Sequence, residues 1–229
     1  CDATSMGGAL CCRGSSPVMS GCYFWYNEAQ HPDRQFSYGG GIACIGGSSP
    51  VIRDCEFDHN NAGTCGGGLY SWQSTPLIAR CDFIENTVDE YGQGGGVKVH
   101  QSSGVDLVAC SFLGNGVATC VGGGLHASAS TVNITDCEFR GNISGASGGI
   151  HLTDSSFGDV GESLFYNNTG TWSGAGGIQC VLSSDAAIHN CTFVMNSYSD
   201  VWCDETSPTI EYCIHAHPIS GPPVYCETG

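Results

Sequence analysis

The chain has 229 residues, of which 35 are Gly and 16 are Cys, and only 12% are charged. Its 22 acidic against 6 basic residues give a formal net charge of −16, which repels polyanions and excludes nucleic acid as a partner, because phosphate backbones need clustered Lys and Arg. No apolar run reaches the roughly 18 residues of a membrane-spanning helix, so no direct membrane insertion by a helix is expected.

The chain opens at Cys1–Asp2 without the basic start and apolar stretch of a secretion signal. It reads as mature, trimmed or a fragment, and a lipidated Cys1 would also suit this start. From there two phrases alternate. The first is Gly-Gly-apolar, beginning with GGAL at 7–10, and the second is apolar-x-x-Cys-x-Phe-x-x-Asn, beginning with Cys22, Phe24 and Asn27. GGGI at 39–42 is followed by Cys55, Phe57 and Asn60, and GGGL at 66–69 by Cys81, Phe83 and Asn86. GGGV at 94–97 leads to Cys110, Phe112 and Asn115, and GGGL at 122–125 to Cys137, Phe139 and Asn142. GGI at 148–150 leads to Ser163, Phe165 and Asn168, and GGI at 176–178 to Cys191, Phe193 and Asn196; Cys213 and His215 close the series. The period is close to 27 residues, as from Cys110 to Cys137.

Within each period, alternation at two-residue spacing marks short strands, one per phrase, and Gly and Pro break the runs too often for helices. Short strands at a fixed period pair with their own copies one turn later, parallel and in register, about 4.8 Å apart, through right-handed crossovers. The predicted fold is therefore all-β: a right-handed parallel β-helix of about eight to nine coils forming a single solenoid over residues 1–229. Phe should stack on Phe, and Asn amides should bond up the stack. The phrase I-x-x-C-x-F-x-x-N also fits a leucine-rich repeat, but the chain has only nine Leu, and the other half of each period is a second Gly-bounded strand.

The alternating GG[ALI] and FxxN phrases resemble those of chlamydial polymorphic outer-membrane proteins, and more broadly the pectate-lyase-like β-helix repeats of bacterial surface proteins, from residue 7 to about 226. The resemblance implies a pectin-lyase-like solenoid working outside the cytosol or at the cell surface. It is weak for function, because that fold carries lyases, hydrolases, adhesins and passenger domains alike.

Seven cysteines occupy the inward Cys column, and Cys12, Cys44, Cys180, Cys203 and Cys226 follow the Gly-Gly strand. Most should be buried, reduced and unreactive, since in-register neighbours point side by side rather than toward each other. Cys1, Cys11, Cys65 and Cys120 fall outside the ladders and are the candidates for bridges.

The outward positions of the Gly-Gly strand carry the candidate ligand-binding face: Tyr70, Trp72, Lys98, His100, His126 and His151 over four consecutive coils. Aromatic rings can stack on sugars, while Lys and His can bind acids or act as bases. The expectation is an exposed groove floor with no Arg in it and no grouped carboxylates, which argues against catalysis. Asp54, Glu56, Asp58 and Asp82 form the one candidate Ca²⁺ site, although Arg80 should pair with Asp54; no other cofactor is implied. Asn133, Asn142, Asn167 and Asn190 stand in N-x-[ST] sequons.

Neither end carries a capping helix, so partners at the ends, either further copies or flanking domains, are expected. The first functional reading is an extracellular, non-enzymatic repeat scaffold (an adhesin, surface or filament-forming module) that binds polysaccharide or another glycan weakly. The alternative is a carbohydrate-active β-helix enzyme, a lyase or hydrolase, using the face from Tyr70 to His151.

Overall fold

The computed structural model describes residues 5–32, 36–101, 103–172, 174–216 and 219–227, and no helix occurs among them. Three long parallel sheets run the length of a solenoid. One has nine strands, from Leu10–Arg13 to Val224–Glu227, and two have eight, from Val18–Ser20 to Thr209–Glu211 and from Tyr23–Trp25 to Ile214–Ala216. Each strand pairs with its copy one coil away, as in Ile42 with Leu69 and Leu69 with Val97.

Each coil thus has three principal strands, where the sequence suggested two. The phrase read as one strand from the apolar position to Phe is bent by the residue before the Cys column. Asp54, Arg80, Ala109, Asp136 and Glu162 all adopt left-handed backbone there, with φ between 51° and 56°. A left-handed residue turns the chain sharply and ends a strand, so Val51–Arg53 and Glu56–Asp58 belong to different sheets. A second left-handed residue before the Asn column, such as His59 or Glu85, makes the next corner.

The interior follows the columns. Phe57, Phe83, Phe112, Phe139, Phe165 and Phe193 are fully buried and stack with centroids 4.5–5.0 Å apart, and His215 extends the stack by one more ring. Beside them Asn60, Asn86, Asn115, Asn142 and Asn168 form a buried ladder. Asn86 shows its logic: Nδ2 donates to Asn115 Oδ1 at 3.0 Å and to Phe57 O at 2.8 Å, while Oδ1 accepts from Asn60 Nδ2 at 2.9 Å and from the Asn60 backbone N–H at 3.0 Å. All four hydrogen-bonding positions of a buried amide are thereby filled. The relay ends at Asp200, fully buried, whose Oδ1 accepts from Asn196 Nδ2 at 3.0 Å and whose Oδ2 lies 3.0 Å from His215 Nδ1. Asn142, read as a glycosylation sequon, is a ladder residue with no exposed surface and cannot receive a glycan in the folded protein; Asn133, Asn167 and Asn190 are exposed.

The triple Gly of the Gly-Gly phrase has three separate causes. Gly66 needs a φ of 66°, a Cβ on Gly67 would meet Thr87 O at 2.2 Å, and one on Gly68 would meet the Phe83 ring at 2.9 Å. Backbone of neighbouring segments and the Phe stack press directly on this phrase.

Cys55, Cys81, Cys110, Cys137 and Cys191 are buried free thiols. Cys11 is disulfide-bonded, and Cys1 lies outside the described residues. Cys65 and Cys120, also expected as bridge candidates, are instead buried and free, each packed in its own apolar cluster. The first and last coils leave apolar side chains in solvent, among them Val18, Trp25, Tyr212 and Ile214.

Candidate functional site

Strand alternation places the outward residues as the sequence implied. Tyr70, Lys98, His126 and His151 are successive register partners, and Trp72 pairs with His100. They do not form an exposed groove floor. Lys98 is 1% exposed, His126 2%, and Tyr70 and His151 6% each, while Trp72 and His100 are half-buried.

Tyr70 is covered by residues that directly precede the Gly-Gly phrases. Met6, Tyr38, Cys65, Gln93 and Val121 pair with one another in parallel bridges, a rung line that sequence reasoning passed over. Tyr38 stacks on Tyr70 with centroids 4.7 Å apart, and Cys65 packs with Tyr70 and Ile45. Between this rung line and the sheet lies a cavity of about 400 Å³, lined by Tyr38, Cys65, Gln93, Tyr70, Trp72, Lys98 and His100, with exposed Arg13 and Tyr91 at its rim. Arg13 corrects the expectation that this face holds no Arg: through Ile45 it is in register with Trp72.

Lys98 is the one lysine of the chain. Its Nζ is hydrogen-bonded to His126 Nδ1, and among the described residues no carboxylate lies within salt-bridge distance of it. Asp154, whose charge reaches it, accepts instead from Ser128 Oγ at 2.6 Å. Burial pushes Lys98 down to about 8, because removing an ammonium from water disfavours the charged form. Burial also holds Cys65 up at about 11 and raises the Tyr70 hydroxyl. It keeps His126 well below the usual imidazole range, with Lys98 adding to the effect, and brings His151 to about 4. His126 and His151 stack at 5.1 Å, and His100 Nδ1 and His151 Nδ1 are buried with no hydrogen-bond partner. The cavity thus offers flat apolar walls, an amine that changes charge near neutrality and an unsatisfied ring nitrogen.

The acidic residues fall elsewhere. Arg80 donates to both Asp54 oxygens, at 2.7 and 3.0 Å. Asp58 accepts from Tyr23 Oη at 2.7 Å and contacts His59, whose Nε2 is 2.9 Å from Glu85. Glu56 and Asp82 are neighbours in register. Among the described residues no group of three or more His, Cys, Asp or Glu side chains stands out as a metal site; of the expected Ca²⁺ ligands Asp54, Glu56, Asp58 and Asp82, Asp54 is taken up by Arg80.

A family described as the right-handed β-helix region matches residues 1–157 and 117–217. The chain belongs to that family. No curated protein and no solved structure matches it. The right-handed β-helix fold alone fixes no activity.

Proposed function

We propose that the chain is an extracellular β-helix scaffold, of the kind suggested by its likeness to pectate-lyase-like and chlamydial surface repeats, whose cavity binds the end of a sugar chain without turning it over. The cavity itself carries the reading. At about 400 Å³ it has the size of a small-ligand site. Tyr38, Tyr70 and Trp72 supply the flat surfaces on which sugar rings stack. Among the described residues no Asp or Glu, the groups a hydrolase would use, lines the cavity. Such a site binds weakly, in the micromolar to millimolar range typical of a few stacking contacts, and gains strength when many copies are displayed.

The test is calorimetric titration of the chain with short oligosaccharides, neutral and uronic, against a Trp72→Ala variant. Binding that weakens at least tenfold in the variant supports the reading; equal binding by both proteins removes the cavity from consideration. A second reading has one observation in its favour. Arg13 at the rim and Lys98 within place a guanidinium and a near-neutral amine on one cavity, which a lyase would use to neutralise a uronate and remove its proton. Formation of unsaturated uronides from a polyuronate, lost in Lys98→Met, would decide for that enzyme.

A further inference from the structure

A buried lysine usually has a carboxylate partner, because an unpaired ammonium away from water is costly. Lys98 instead rests on the neutral ring of His126. A chain with five Arg, some at the surface, and one Lys has not placed an amine at a fully buried position for solubility. The remaining face of the residue lines the cavity with Tyr70, Trp72, Cys65 and His100.

We propose that Lys98 captures carbonyl compounds, condensing reversibly with the aldehyde end of a small sugar seated in the cavity. This rests on the cavity reading above and adds to it a covalent step. The neutral Nζ adds to the carbonyl carbon, forming a C–N bond while the C=O pair moves to oxygen. A proton passes from nitrogen to that oxygen to give the carbinolamine. Loss of water then breaks the C–O bond and forms C=N, and readdition of water reverses the sequence, with no oxidant or reductant consumed.

Three observations make this amine suitable. Its Nζ is hydrogen-bonded to His126 Nδ1, and where that nitrogen carries no proton the neutral amine donates to it and keeps its lone pair for an electrophile. Its environment is buried and aromatic, which disfavours the ammonium. With its pKa near 8 rather than 10.5, it holds roughly two hundred times more neutral amine at pH 7.5 than an ordinary lysine does. The groups facing it act in opposite senses: His100 and His126 disfavour added positive charge, while Asp154 and Cys65 favour it.

The experiment incubates the full chain with D-glyceraldehyde, or with a reducing disaccharide, in the presence of sodium cyanoborohydride between pH 6 and 9. Hydride adds to the imine carbon and fixes the adduct as a secondary amine, which peptide mapping locates. The expected result is a single adduct on Lys98, forming at least tenfold faster in the folded chain than in the urea-unfolded chain, with a rate that rises through pH 8. Lys98→Arg, which retains the charge, gives no adduct there. An unmodified Lys98 in the folded chain, with modification only after unfolding, overturns the proposal. The disaccharide's methyl glycoside, which has no aldehyde, separates the two readings. If it binds in calorimetry while no adduct forms with the reducing sugar, the cavity reading stands and carbonyl capture falls. If glyceraldehyde labels Lys98 and neither disaccharide binds, capture stands and the sugar-end reading falls.

Discussion

Phe112 sits at the middle of the ring stack, 4.8 Å from Phe83 and 4.5 Å from Phe139, with no exposed surface. Truncation to Ala leaves a cavity that the rigid coils above and below cannot close, so Phe112→Ala should cost about 3–5 kcal/mol. Urea denaturation would show this as a lowered midpoint with an unchanged slope; a loss under 1 kcal/mol would mean the stack is not the core. The Phe and Asn columns were fully legible in the sequence, because a residue that recurs at one place in every period must meet its own copy. The candidate site was half legible for the same reason. Alternation identifies Tyr70, Lys98, His126 and His151 as outward, but outward is a direction and not an exposure. What lies over Tyr70 and beside Lys98 is set by the rung line of Tyr38, Cys65 and Gln93, whose side chains differ from coil to coil and so leave no repeating letter to notice.

At the scale of the strand, the third sheet was missed because its corner has no residue type of its own. The left-handed position before the Cys column is held by Asp54, Arg80, Ala109, Asp136, Glu162, Asn190 and Tyr212, and only in the first coil by Gly21. Side chains with a Cβ hold this conformation at a cost of about 1–2 kcal/mol, and the pairing of both flanking strands offsets it. Ala109 has φ 53° and the smallest side chain among the non-Gly residues of this column. Replacement by Gly should leave stability unchanged or raise it by up to about 1 kcal/mol, whereas Ala109→Val, β-branched, should lower it by about 1–2 kcal/mol. Thermal unfolding of the two variants side by side tests this. A destabilising Gly together with a harmless Val would show that the corner is not a left-handed turn.

For the molecule as a whole, the buried titratable groups bound its stability from both sides. Burial holds Cys65, Cys120 and Cys191 near 11 and Cys81 near 12, against 9.0 for an ordinary thiol. A raised folded pKa means that the unfolded chain releases these protons first. Their contribution is therefore whole below pH 9 and is lost as the pH rises toward 11–12. Lys98, depressed from 10.5 to about 8, works the other way across pH 8–10.5, but it is one group against several. On the acid side, His126 and His151 lie below their ordinary 6.5, His151 near 4, so their contribution is whole above pH 6.5 and is lost as the pH falls to about 4. Stability measured by urea midpoint should be broadest between pH 6.5 and 9 and fall on both sides. A midpoint still rising from pH 9 to 11 would contradict the buried-thiol interior. The hydrogen-bonded relay through the Asn column has a direction, since every amide passes a proton donor toward the following coil. Asp200 receives the last of these and has no amide hydrogen to hand on. It acts as a terminator: a coil duplicated anywhere upstream would be read into the existing series, while one appended beyond Asp200 would have to begin a series of its own. The number of coils can therefore change by whole-repeat duplication without interrupting the Asn series, and the place where counting stops is written in a single residue.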